Sequence, residues 1–110
     1  MEITFSDAGD VKIVRFDGMI DTVTASEAEA ALTGLLSDGV NNIVLNFGQL
    51  SYINSIGLRV ILVTAKQLKR SEGQLQICCL NEPVREVFDI TGFSSILNVV
   101  DTEEEALEAF

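Results

Sequence analysis

The chain has 110 residues, enough for one domain, and 47% are hydrophobic, so one compact core forms without metal or disulfide support. Asp and Glu number 17 against 7 Lys and Arg, a formal net charge of −10. That balance excludes a nucleic-acid binder, which needs Lys and Arg to displace counterions, and disfavours anionic membranes, leaving a protein partner with a basic docking surface as the expected complement.

No apolar stretch is long enough to span a bilayer, because Arg59, Lys66 and Lys69 interrupt the longest. Met1-Glu2-Ile3-Thr4-Phe5 lacks the basic and apolar regions of a signal peptide, which predicts a cytoplasmic protein. Cys78 and Cys79 are adjacent in an apolar run. On a strand their side chains point to opposite faces, so buried, reduced thiols are expected.

Ile3 and Phe5 begin a first strand, broken at Asp7-Ala8-Gly9-Asp10. Val11, Ile13, Val14 and Phe16 form a second, giving a hairpin, and Gly18 to Asp21 is expected to turn. From Thr22 the spacing is helical, with Ala28, Ala31, Leu32 and Leu35 on one side. Thr24 and Glu27 match a capping box, and Gly39 stops the helix. Ile43-Val44-Leu45 is short and branched, as in a strand buried on both faces. A second helix opens at Asn54 or Ser55 and ends before Gly73, with basic residues in its last turns, where the helix dipole favours them. Leu75 to Leu80 reads as a strand. Pro83 then opens a third helix, with Val84, Val87 and Phe88 inward and Gly92 as its stop. Leu97 to Val100 makes a short strand, and Thr102 caps an acidic helix running to Phe110.

The order β-β-α-β-α-β-α-β-α predicts a single α/β domain over residues 1–110, with a mixed, mostly parallel sheet of about five strands and about four helices.

The segment from Leu50 to Leu62 links a buried strand to a helix start. A helix N-terminus has unpaired N–H groups and partial positive charge, so a serine there can cap it or carry a phosphate among those donors. Taken alone, Ser55 is a cap. The chain as a whole resembles a STAS domain, most closely the free-standing bacterial anti-sigma factor antagonists. The resemblance rests on Gly18-Met19-Ile20-Asp21, on Asn42 to Phe47 and on Tyr52-Ile53-Asn54-Ser55-Ile56-Gly57-Leu58. It is supported by Val84 to Phe88 and Thr91-Gly92-Phe93. The third of these stretches is similar to the family's Asp-Ser-Ser/Thr-Gly-Leu signature.

The resemblance implies that Ser55 is a phosphoacceptor. It also implies two partners, an anti-sigma factor with serine kinase activity and a serine phosphatase. Asn54 stands where the signature has Asp, removing a charge beside the acceptor. Ile56 stands at the second hydroxyl position, leaving Ser55 alone in the motif.

On a helical wheel, Leu58, Ile61, Leu62, Ala65 and Leu68 form the core face of the second helix. Ile56, Val60 and Val63 lie opposite, flanked by Arg59, Lys66 and Arg70. That strip is either covered by a neighbouring helix or a docking surface beginning at Ser55. As a docking surface it predicts that Val60→Glu weakens partner binding with little loss of stability. Asn54, Gly57 and Arg59 join the expected contacts, together with Asp21 and Thr22, since parallel α/β units gather their strand-to-helix loops at one end.

An enzyme is disfavoured. There is no histidine and no phosphate-cradling glycine loop, and nothing calls for a cofactor or a metal. A non-switching STAS subunit of a larger complex, such as a lipid-transport ATPase or a stress-signalling assembly, is the competing reading. In that case Ser55 is only a cap. Monomer and dimer both stay open.

Overall fold

A computed structural model describes all residues from 1 to 110. The opening hairpin pairs β1 (Glu2–Ala8) with β2 (Val11–Ile20) in antiparallel register, turning at Gly9, whose φ of +64° suits a residue without a Cβ. The chain continues through α1 (Ala25–Ser37), β3 (Asn42–Asn46), β4 (Leu50–Ile53), α2 (Ser55–Arg70) and β5 (Gln74–Cys78). It closes with α3 (Glu82–Ile90), a 3-10 turn at Phe93–Ser95, β6 (Val99–Val100) and α4 (Glu103–Glu108). The strands lie in the order β1-β2-β3-β5-β6, with every pair after the hairpin parallel.

Period-2 alternation splits the strand residues between two cores. Val14 and Phe16 of β2, Ile43 and Leu45 of β3 and Leu75 and Ile77 of β5 face α1, α2 and α3. Val11, Ile13, Val44 and Cys78 face α4 through Ala106. Ile43, Val44 and Leu45 are all fully buried, as expected for a strand covered on both sides. Phe47 stands at the centre of the larger core, edge-on to both Phe16 and Phe88.

The sixth strand was not foreseen. Gly18 does not end β2: at φ +124° it makes an irregularity inside the strand, and β2 runs on to Ile20. The extension pairs in parallel with β4, matching Met19 to Tyr52 and Ile20 to Ile53. β3 and β4 thus lie along successive lengths of the same side of β2, joined by the short turn at Phe47 to Gln49. The Thr24–Glu27 capping box also does not form. The Thr24 hydroxyl donates instead to the Met19 carbonyl at 2.7 Å, and α1 begins at Ala25.

Candidate functional site

Everything that positions Ser55 comes from β4 and its supports. The Asn54 N–H donates to the Ile20 carbonyl at 3.1 Å, extending the β2–β4 ladder to the edge of α2. Asn81, the N-cap of α3, donates through its side-chain amide to the Leu50 carbonyl at 2.6 Å, and Ser51 donates to the Gly18 carbonyl. Ile53 is fully buried, so the strand is pinned immediately before the helix opens.

The cap of α2 is Asn54, not Ser55. Its Oδ1 accepts from the Ile56 and Gly57 N–H groups at 3.1 and 3.0 Å. The donors expected to receive a phosphate are therefore already occupied. Ser55 is the first helical residue and is exposed, and its hydroxyl is left free by the cap beside it. Gly57 is buried, and its role is packing. A Cβ there would lie 2.7 Å from Ile53 Cγ1, 2.8 Å from Ile20 Cγ2 and 2.9 Å from the Ile20 carbonyl oxygen. Only glycine lets α2 start this close to β2 and β4.

The loop before α1 lies beside the start of α2, as the parallel topology predicts. Asn54 Nδ2 donates to Thr22 Oγ1 at 3.3 Å. Asp21 organises that loop, accepting from the Val23 and Thr24 N–H groups at 2.9 and 3.1 Å. These bonds, with Thr24 N–H foremost, hold the Asp21 carboxyl below its ordinary pKa of 3.8.

The helix-wheel strip divides. Val60 is only 7% exposed and belongs to the main core, so its expected place on an open surface is corrected: α1 packs against α2 there and covers it. Val60→Glu therefore cannot separate binding from stability. Ile56 and Val63 stay exposed at 43% and 41%. Together with Thr22, Ser26, Glu29 and Arg59 they border a shallow groove of about 310 Å³ between α1 and α2, with Val60 in its wall.

Sequence reading missed three further exposed apolar residues. Met19, Val23 and Tyr52 are exposed, so five of the chain's nine exposed large apolar side chains belong to β2's end, β4, the loop before α1 and α2. Ile20 and Ile53 meet the start of α2, so by alternation Met19 and Tyr52 point to the other face of the sheet from the α1–α2 groove. The signal that joins Met19 to Tyr52 is cross-strand register, which a linear sequence does not display.

Charge is also distributed against the overall balance. Lys12, Arg15 and Arg85 are each engaged in an ion pair, with Asp7, Glu103 and Asp101. The other four cations, Arg59, Lys66, Lys69 and Arg70, all lie exposed on α2 without a carboxylate partner. The net charge predicts a basic partner, but the face descending from Ser55 is locally positive.

No helix is long and apolar enough to cross a membrane. No group of three or more His, Cys, Asp or Glu side chains is placed to hold a metal ion.

A family model described as STAS domain matches residues 2–106. The chain is 40% identical over 110 residues to BtrV of Bordetella bronchiseptica, a candidate anti-sigma factor antagonist, covering all of this chain and 95% of that one. It is 31% identical over 91 residues to the anti-sigma-B factor antagonist of Staphylococcus aureus, covering 83% of this chain and 84% of the relative. Among solved structures, a candidate anti-sigma factor antagonist from Thermotoga maritima superposes with a TM-score of 0.92 at 26% identity, over 97% of this chain and 92% of that one.

Proposed function

The chain belongs to the STAS domain family, and from that premise we propose that it is a cytoplasmic anti-sigma factor antagonist switched by phosphorylation of Ser55. Unphosphorylated, it binds an anti-sigma factor that is also a serine kinase, which frees a sigma factor and so regulates transcription indirectly. A serine phosphatase resets it. The acting domain is residues 1–110, and the protein is a substrate of the kinase with no catalysis of its own.

The observation that carries this reading is the exposed Ser55 hydroxyl, left free by the Asn54 cap at the head of an apolar and basic face. A kinase needs an accessible hydroxyl, and a switch needs that hydroxyl to sit where the partner seats. Both conditions meet at one residue. Asp21, Thr22, Asn54, Ile56, Arg59 and Val63 supply the partner contacts, while Gly57 and Val60 hold the helix that presents them.

Phosphate brings roughly −1.5 to −2 charges to this position. With the cap donors occupied, it projects toward the partner instead of folding into the helix end. Arg59 lies one turn further along, in the favourable order of an anion preceding a cation by four residues. The phosphate therefore repels an acidic partner surface and also draws Arg59 away from it. A loss of about 3 kcal/mol at the interface lowers affinity about a hundredfold, enough for a switch.

The test is incubation with an anti-sigma factor kinase and ATP, read by intact mass. Wild type gains one phosphate and Ser55→Ala gains none. A kinase of demonstrated activity that leaves wild type unmodified, or a phosphorylated form that binds as tightly as the free one, defeats the proposal.

A further inference from the structure

Cys78 and Cys79 do not behave as two residues of a strand. β5 ends at Cys78, and Cys79 adopts the left-handed conformation, with φ +66°. Alternation would have sent the two thiols to opposite faces. The left-handed step instead returns the Cys79 sulfur to within 3.5 Å of the Cys78 sulfur, and both are free thiols. Cys78 is fully buried in the small core beneath α4, whereas Cys79 is half-buried and reachable from solvent.

We propose that Cys78 and Cys79 form a reversible two-electron redox site, a vicinal disulfide whose closure loosens the segment carrying Ser55. The oxidant class is a small hydroperoxide. In the first step the Cys79 thiolate attacks the peroxide: an S–O bond forms and the O–O bond breaks. For hydrogen peroxide, hydroxide leaves and takes up a proton as water. In the second step the Cys78 sulfur attacks the resulting sulfenic acid. The S–S bond forms, the S–O bond breaks, and the departing hydroxide takes the Cys78 proton. Two thiols are oxidised by two electrons in all, and hydrogen peroxide is reduced to two waters.

The division of labour follows from burial. An accessible thiol next to a resolving one is the arrangement that stops at the disulfide and avoids over-oxidation. Burial pushes the Cys78 thiol up, so it stays protonated and inert until the sulfenic acid forms beside it. Adjacent Cα atoms are about 3.8 Å apart, below the usual 4.4–6.8 Å of a disulfide, so the ring is strained and opens readily to a reductant.

The link to Ser55 runs through three contacts. The Cys78 carbonyl accepts from the Phe47 N–H at 3.0 Å. The Cys79 Cβ lies 3.6 Å from where a Gly48 Cβ would stand, against the turn entering β4. Two residues beyond Cys79, Asn81 holds the Leu50 carbonyl. A ring closing at 78–79 must shift the backbone between these anchors.

The experiment treats the full chain with hydrogen peroxide and measures intact mass, free thiols and amide hydrogen exchange. The expected result is a mass loss of two hydrogens, disappearance of both thiols, reversal by dithiothreitol, and severalfold faster exchange across residues 47–55. Neither Cys79→Ser nor Cys78→Ala shows the two-hydrogen loss, and either variant suffices if the other fails to fold. Sulfinic acid on Cys79 with Cys78 still a free thiol overturns the proposal, as does a disulfide between two chains. Closure with unchanged exchange over 47–55 overturns its link to Ser55. None of these readouts requires phosphorylation, so failure here leaves the proposed function standing.

Discussion

Two helical glycines offer a sharp test of what seats α2. In a helix interior, glycine to alanine ordinarily stabilises by about 0.5–1 kcal/mol, because alanine has less backbone freedom to lose. Gly34 in α1 has nothing within 4 Å of where a Cβ would stand, so that gain applies in full. Gly34→Ala is expected to raise the melting temperature by roughly 2–4 °C for a chain of this size. At Gly57 the same gain meets three contacts under 3.0 Å, one to a backbone oxygen and two to isoleucines that are fully buried. The isoleucines have no free volume to swing into, and the carbonyl belongs to the β2–β4 ladder. Overpacking of this kind costs about 1–3 kcal/mol, and three simultaneous contacts put Gly57 at the upper end. The net loss is about 2 kcal/mol, a fall of roughly 9 °C in Tm. Parallel thermal melts by circular dichroism check both signs at once. If Gly57→Ala melts at or above wild type, the close approach of α2 to Ile20 and Ile53 is not what seats the helix, and this account of the site's geometry fails.

Val60→Glu and Val63→Glu separate core from surface on one helix. Val60→Glu leaves an uncompensated buried charge and should cost about 3–5 kcal/mol in urea unfolding. Val63→Glu should stay within about 0.5 kcal/mol of wild type while weakening the anti-sigma partner in titration calorimetry. Asp21 should titrate by NMR with a midpoint below 3.8, since its carboxylate accepts bonds from the 22–24 turn. Because the folded pKa is depressed, that contribution to stability is complete above the unfolded value and is lost as pH falls through the folded one. Asp21→Asn should therefore show a shallower stability loss than wild type on acidification below pH 3.8, measured by urea melts at a series of pH values.

Much of the architecture was legible because its signals are local. Gly9, Gly39 and Gly92 each take the positive φ that a turn or helix stop demands. The continuous run at Ile43 to Leu45 announced a strand covered on both faces. Asn81 and Thr102 cap α3 and α4 through their side chains. The readings that failed depended on partners distant in sequence. Gly18 reads locally as a turn because its strand continues only by pairing with Leu50–Ile53, more than thirty residues on. Thr24 has the spacing of a capping box, but the Met19 carbonyl competes for its hydroxyl. Cys78 and Cys79 would face apart on any strand that continued past them, and β5 does not. The wheel set Val60 opposite the core face of α2, but α1 packs against α2 and Val60 joins the main core.

At the site, the sequence by itself determined the chemistry: one hydroxyl in the motif, an amide before it able to cap, four cations along one helix and a glycine two residues after the serine. These are properties of residue type and short-range spacing. Only the tertiary structure decided their consequences. It assigned the cap to Asn54 and so left Ser55 free. It buried Val60 under α1, brought Thr22 to Asn54, and paired Met19 with Tyr52 as exposed residues on neighbouring strands. The physical reason is that exposure and pairing depend on which elements lie alongside one another, and that is settled by the packing of the sheet and helices together.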